Sequence, residues 1–396
     1  MTILKNINVT LAFTFARIVC QFIGTAYMSR VFSKTDLGLL LLFLAISRIT
    51  ELFLVAGDNN VIIRDGEHTD MLGLKQKYYS FRFLLRLILA AILTCILFYL
   101  FSGIKGIILV SIFILTLFFL IGRSCFQLCA GILISNNKFV LFGLYDALII
   151  VLSQLLFSRL FIGLGLTGLL TGYVLAYIIL AMVYYSLGLV KLQTDNRLEY
   201  SRKDSWRFAR PELLNIAARS LDTYVLPSII GVEMMVSYKR GYSVGEVLTN
   251  TLGRSLALVL FPTFARMSNY ERRKMGLYFC ATAIIVGLIF SIIISTYSHE
   301  IISFYLGDGW EEAAKVLSVV VYILPARLLA KVVGSLLKAS DLLKFLERTQ
   351  YLLIIVQLMA LGCAFIDLAI FIRVLIIGTS ATILLQLTYW LRNSNS

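Results

Sequence analysis

Arg17, Arg48, Arg219, Arg254, Arg327 and Lys331 stand inside stretches of this chain that otherwise read as continuous hydrocarbon. A cation placed there costs roughly 2.5–3.5 kcal/mol even on the lenient insertion scales, so it marks a water-filled path or cavity. All but Lys331 are arginine, whose guanidinium stays protonated in a low dielectric and forks onto an oxyanion through two parallel hydrogen bonds. The chemistry these residues suit is the holding of a negatively charged cargo. Arg327 and Lys331 lie one helical turn apart on one face, either lining such a path or forming an interface pair. Glu51, Asp146, Asp222 and Glu246 are the acidic counterparts. Arg48 with Glu51 and Arg219 with Asp222 are at i, i+3 spacing, so each pair either neutralises itself or leaves its cation to the cargo. Asp222 with Arg254 is a further candidate bridge, across helices. Arg17 has no acid at helical spacing and is the sharpest cargo candidate. Asp146 and Glu246 have no cation on their own helix and are the candidates for a proton or ion site, with Glu51 and Asp222 also available.

The elements that position these residues are membrane helices. The chain has 396 residues, 59% hydrophobic and only 15% charged, with a mean hydropathy of +0.88. A soluble domain has nearer half apolar and a quarter charged residues, and apolar runs of about 20 residues recur here throughout. The polar interruptions predict twelve helices near 8–31, 36–62, 81–101, 104–122, 139–160, 164–190, 208–231, 238–264, 276–298, 312–336, 348–366 and 368–390. The first apolar stretch is full length, and the segment before it lacks the small-residue site of a cleaved leader. The expected fold class is therefore an all-α polytopic membrane protein of about twelve transmembrane helices.

Lys and Arg orient it. Arg64, Lys75 and Lys77, the run Lys191, Arg197, Arg202, Lys203 and Arg207, and Arg266, Arg272, Arg273 and Lys274 all fall on one side. The largest loop opposite, with His299, Glu300, Asp308, Glu311 and Glu312, is acidic. The bias is about three to one and places both termini in the cytoplasm. It also explains most of the net charge of +14 without nucleic acid. The basic run divides the chain into a six-helix lobe over 1–190, a linker over 191–207 and a six-helix lobe over 208–396. An even helix count per half makes the repeat parallel, about an axis normal to the membrane. Pro211, Pro227, Pro262 and Pro325 all lie in the second half, where bent helices are expected.

Other chemistry is poorly served. There is no phosphate-binding loop and no dinucleotide fingerprint, so no nucleotide or other cofactor is expected, and any driving energy comes from an ion gradient, the membrane potential or the cargo gradient. The six cysteines lie in apolar segments. Cys125 and Cys129 are one turn apart, without histidine company, and read as packing residues rather than a metal site.

Particular stretches resemble a known family. Ser220 to Gly231, with its Leu221-Asp222 and terminal glycine, is similar to a helix end of Wzx-type polysaccharide flippases. So are Tyr238-Lys239-Arg240-Gly241-Tyr242, Gly253-Arg254 and Leu260 to Arg266. Phe304 to Ala313, containing Leu306-Gly307-Asp308-Gly309-Trp310, resembles the start of the tenth helix in that family. Phe32 to Leu40 and Ile62-Ile63-Arg64 are similar more loosely. The likeness covers most of the chain and is strongest over 205–340. It implies membership of the multidrug/oligosaccharidyl-lipid/polysaccharide (MOP) exporter superfamily and a V-shaped bundle of two lobes around a cation-lined cavity. It also implies a polyprenyl-pyrophosphate-linked oligosaccharide as cargo, as for O-antigen, capsule or exopolysaccharide in a bacterial inner membrane. Polysaccharide polymerase and glycosyltransferases are the implied protein partners.

Two rivals remain. An ion-coupled exporter of cationic drugs in the same superfamily would need net acidic walls, against the excess of arginine. A membrane-embedded polysaccharide polymerase would place catalytic Arg or His in a sizeable outside loop, whereas the outside loops here are short and acidic. The reading is a transporter rather than an enzyme.

Overall fold

The computed structural model describes residues 2–55, 58, 62, 80–102, 107–135, 138–186, 220–340 and 342–393. The basic segment 191–207 and the loop over 64–77 lie outside these residues. The chain divides into two compact units, Met1–Ser220 and Leu221–Ser396.

The first unit contains α1 (Thr2–Val31), α2 (Lys34–Val55), α3 (Phe81–Ser102), α4 (Ile107–Ser135), α5 (Phe139–Ile150) and α6 (Gly165–Ser186). α5 runs on through a π-helical stretch, Val151–Phe157, to Leu160. Its neighbours pair as α1 with α5, α2 with α3 and α4 with α6. The second unit contains a helix over 220–230 (α7), followed by α8 (Val232–Arg266), α9 (Asn269–Thr296), α10 (Ser298–Leu306) and α11 (Glu311–Val320). A short 3-10 turn, Val321–Ile323, leads to α12 (Leu324–Ala339), then α13 (Leu343–Ala364) and α14 (Leu368–Asn393).

Among the described residues, seven helical stretches are long and apolar enough to cross a membrane: Phe81–Ser102, Leu109–Leu133, Val140–Leu160, Ile162–Tyr184, Asn269–Thr296, Glu311–Leu337 and Leu368–Asn393. α8 is long but carries Glu233, Lys239, Arg240, Glu246 and Arg254. The side-chain distribution is that of a protein dissolved in lipid. α3 buries Leu87, Ala90, Ala91, Thr94, Cys95 and Phe98 on one stripe. Its remaining faces expose Leu84, Leu85, Ile88, Leu89, Ile92, Leu93 and Ile96. In water so much bare aliphatic surface would aggregate; against acyl chains it is the solvated state.

Helix order follows the sequence expectation, with three corrections. The fourth helix does not stop near 122 but continues to Ser135, because Arg123 is one charge in an otherwise apolar run and does not end a helix. The acidic loop after the ninth helix folds into α10, which buries Ile302, Tyr305 and Leu306 and stops where Gly307 takes φ +93°. The tenth span is not one α-helix. Pro325 has no N–H and its ring crowds the carbonyl four residues back, that of Val321. The ladder tightens there, with Leu324 N–H donating to the Val321 carbonyl. Ser291 Oγ on α9 donates to the same oxygen at 2.8 Å, and Ser295 Oγ donates to the Ser318 carbonyl at 2.8 Å. In lipid no water can take that place, so hydroxyls of a neighbouring helix do. A Cβ on Gly287 would lie 2.5 Å from Pro325 Cα, so glycine is what lets α9 close on the bend.

Gly287→Ala is expected to lower stability by about 1–3 kcal/mol through overpacking, and Ser291→Ala by roughly 1 kcal/mol. Thermal unfolding of the purified variants checks both; wild-type stability in Gly287→Ala would show that the bend can shift freely.

Candidate functional site

Each unit brings together charges that are far apart in sequence. In the first, Arg17 on α1 reaches Asp146 on α5, Nη1 to Oδ2 at 3.0 Å. The side chains remain 43% and 24% exposed, so this pair is on an accessible face. The close approach of the two helices has a local cause. A Cβ on Gly24 would be 2.9 Å from Gln154 Cβ, in the π-helical turn that follows Asp146. Gln154 Nε2 donates to the Tyr173 hydroxyl at 3.0 Å, anchoring that turn to α6. The Arg17–Asp146 and Gly24–Gln154 contacts lie about two turns apart on both helices, so α1 and α5 run parallel. π-turns recur at functional positions because they re-aim the residues around them.

Also in this unit, Glu51 on α2 meets Arg123 on α4, Oε2 to Nε at 2.6 Å, with exposures of only 7% and 13%. Arg123 lies over the Phe119 ring, one turn earlier on its own helix, at 5.6 Å. Arg48 is exposed on α2.

The second unit carries a continuous cluster. Asp222 on α7 is 2% exposed. Its carboxylate accepts from Lys239 Nζ at 2.7 Å, Tyr238 O–H at 3.0 Å and the Thr223 backbone N–H at 2.8 Å. These donors fix the orientation of the carboxylate and of the lysine bonded to it. Lys239 Nζ lies 5.6 Å from the Tyr238 ring and 5.5 Å from the Tyr242 ring. Arg327 on α12 lies over the same Tyr242 ring, Cζ at 4.7 Å, and Nη2 donates to the Tyr242 hydroxyl. Its Nη1 reaches Glu246 Oε1 at 3.4 Å. Two cations thus share one aromatic platform, and each has its own carboxylate. The backbone allows this because α8 presents residues 238, 239, 242 and 246 within about two turns, and α12 approaches that face. α11 packs close against α8 at Gly241, where a Cβ would lie 2.5 Å from the Ala313 carbonyl oxygen.

The structure therefore unites several of the expected residues, in unforeseen pairs. Both proposed ion-site carboxylates, Asp146 and Glu246, are bonded to proposed cargo cations, Arg17 and Arg327. The cation found on Asp222 is Lys239; Arg219 and the Arg254 side chain lie outside the described residues. Lys331 is half-buried one turn beyond Arg327. Sequence reasoning missed Arg123 because the fourth helix was ended one residue before it. It missed Lys239 because that residue sat at an expected helix start, where a lysine is ordinary. Tyr242, four residues from both Tyr238 and Glu246, carried the periodic signal that would have found the platform. Among the described residues no group of His, Cys, Asp and Glu could hold a metal ion.

Removing Arg123 would take from the buried Glu51 carboxylate a guanidinium held at 2.6 Å. Arg123→Ala is expected to cost about 3–5 kcal/mol, with the double variant Glu51→Gln/Arg123→Gln recovering much of it. Unfolding midpoints in detergent decide this, and equal losses in the single and double variants would count against a coupled pair. Gly24→Val should separate α1 from α5 and cost about 1–3 kcal/mol in the same assay.

The fold has relatives of known structure. A MOP-superfamily transporter from Pyrococcus furiosus, whose binding pocket is described as having reversed polarity, aligns with a TM-score of 0.60 at 15% identity, covering 98% of this chain and 94% of that one. An outward-facing multidrug-resistance transporter of the MATE family in the same superfamily aligns with a TM-score of 0.61 at 15% identity, with coverage of 98% and 94%. A MATE transporter in complex with MaD5 gives 0.61 at 16% identity, again covering 98% and 94%. No protein of curated function matches the sequence significantly. The family model described as polysaccharide biosynthesis protein matches residues 27–315. This match covers most of the chain and reaches into both units, and the fold is like that of the MOP-superfamily transporters: the chain is a member of the polysaccharide biosynthesis protein family.

Proposed function

We propose that this protein is a flippase that moves a polyprenyl-pyrophosphate-linked oligosaccharide from the inner to the outer leaflet of a bacterial inner membrane. The observation that carries the reading is the platform of Lys239, Tyr242 and Arg327. Two cations around one ring, Lys239 Nζ at 5.5 Å and Arg327 Cζ at 4.7 Å from the Tyr242 centroid, suit a pyrophosphate, whose two phosphates carry about one negative charge each and take forked hydrogen bonds. Arg17, Arg48, Arg219, Arg254 and Lys331 serve the same cargo along its route. The polyprenyl tail stays in the bilayer throughout, so the protein needs to shelter only the head group.

Movement is by alternating access of lobes 1–190 and 208–396, joined by the cytoplasmic linker 191–207, with both termini inside. The exchangeable pairs Arg17–Asp146 and Arg327–Glu246 provide the carboxylates for proton or ion coupling. An incoming positive charge at either acid releases its arginine. Glu51 and Asp222 are held more tightly and set the position of their partners. A cationic drug is a poor fit, because the carboxylates of the cluster are already matched by Lys239 and Arg327. Polysaccharide polymerase and glycosyltransferases would act before and after this step.

Translocation of a labelled undecaprenyl-pyrophosphate-linked repeat unit in proteoliposomes tests the reading. Wild type should transfer it under an ion gradient. Arg17→Ala and Arg327→Ala, at unchanged reconstitution, should each lose about ten-fold or more. Efflux of a fluorescent cationic drug without any transfer of the lipid-linked sugar would replace the flippase with the exporter.

A further inference from the structure

Each unit contains an ion pair between a glutamate and an arginine, and the two pairs differ in two informative ways. In the first, a glutamate on α2 meets an arginine on α4: Glu51 with Arg123. In the second, a glutamate on α8 meets an arginine on α12: Glu246 with Arg327. Each arginine also lies against an aromatic ring, Phe119 or Tyr242. The Glu51–Arg123 pair is short, at 2.6 Å, and nearly sealed. The Glu246–Arg327 pair is 3.4 Å long, and its carboxylate is 37% exposed.

The second difference concerns what holds the arginine. Phe119 offers Arg123 only a ring face, so Glu51 is the strong anchor. Tyr242 offers Arg327 both a ring at 4.7 Å and a hydroxyl acceptor. Arg327 therefore keeps its orientation when Glu246 leaves, and its forked guanidinium can then turn the same donors to another anion. Lys239 stands on the same ring with its own carboxylate, Asp222, which is buried and multiply bonded. Of the two carboxylates at the platform, Asp222 is fixed and Glu246 is replaceable.

We propose that Glu246 is a resident anion that occupies Arg327 in the empty protein and is displaced by the pyrophosphate of the cargo. This rests on the flippase reading and adds a role to it: Glu246 sets affinity by competition. A weakly charged lipid head group cannot displace it, whereas a pyrophosphate exceeds it in charge and in acceptor oxygens. The first unit's Glu51–Arg123 pair is the permanent version, a strut between α2 and α4 that takes no ligand.

The test uses the full-length protein in neutral phosphatidylcholine nanodiscs, with farnesyl pyrophosphate as the probe and farnesol and inorganic pyrophosphate as tail-only and head-only arms. Glu246→Gln and Glu246→Ala should bind farnesyl pyrophosphate about ten-fold tighter than wild type, since removing a competitor raises the fraction of ready sites. Arg327→Ala should bind it at least ten-fold more weakly, and the folded Glu51→Gln variant should match wild type. Farnesol binding should not change in any variant. Affinity in both folded Glu246 variants equal to or below wild type overturns the proposal, as does an equal gain in Glu51→Gln. If wild type translocates the lipid-linked sugar while the Glu246 variants bind no tighter, only the competition falls. If wild type neither binds the probe nor translocates, the flippase reading falls with it.

Discussion

A charged side chain inside hydrocarbon needs its counter-charge close by, and in a helical membrane protein that partner comes from another helix. Asp146, Glu51, Asp222 and Glu246 all obey this, meeting Arg17, Arg123, Lys239 and Arg327 respectively on neighbouring helices. Each pair joins two segments that lipid itself would not push together, because acyl chains solvate leucine as well as leucine does. The same logic governs the backbone. The carbonyl crowded by Pro325 is satisfied by Ser291, and Gly287 yields the space for that approach. Packing of the remaining core then follows, with Leu260, Phe264, Leu328, Val332, Leu336 and Trp390 filling one cluster of the second unit.

The pairs differ in how firmly they are made, and it is on that difference that we propose a structural role for one and a binding role for others. Glu51–Arg123 is enclosed, and breaking it would cost a buried charge its 2.6 Å partner. Arg17–Asp146 and Arg327–Glu246 are partly exposed and open to competition. An anion-binding site in a membrane faces a conflict: its cations must be neutralised when empty, yet available when cargo arrives. An aromatic platform resolves it. Tyr242 orients the guanidinium through its ring and hydroxyl, while a weaker carboxylate supplies the charge balance.

Each unit contains a glutamate–arginine pair between two of its helices, and neither pair was visible in the sequence. Aligning the halves by residue identity finds little beyond apolar matches, because most positions in a membrane helix need only be hydrophobic. The ends of the helices are hard to place for a related reason. Arg123 looked like a terminus and Lys239 like an ordinary flanking lysine, since a lone charge is equally at home at a helix end or in a paired interior.

Composition and spacing determined that this chain is helical, lies in a membrane, and carries interior arginines suited to an anion. Those conclusions depend on local quantities: run length, the cost of a charge in hydrocarbon, and the missing N–H of proline. Which acid meets which base was decided by tertiary structure alone. Helical spacing offers Arg48 to Glu51 and Arg219 to Asp222; the structure adds Arg123 and Lys239, from other helices, as partners of the same two acids. Side chains on one helix are neighbours by default, whereas a pair across helices depends on rotation and depth. Those are set by close contacts such as Gly24 on Gln154 and Gly241 on Ala313, which no spacing rule contains.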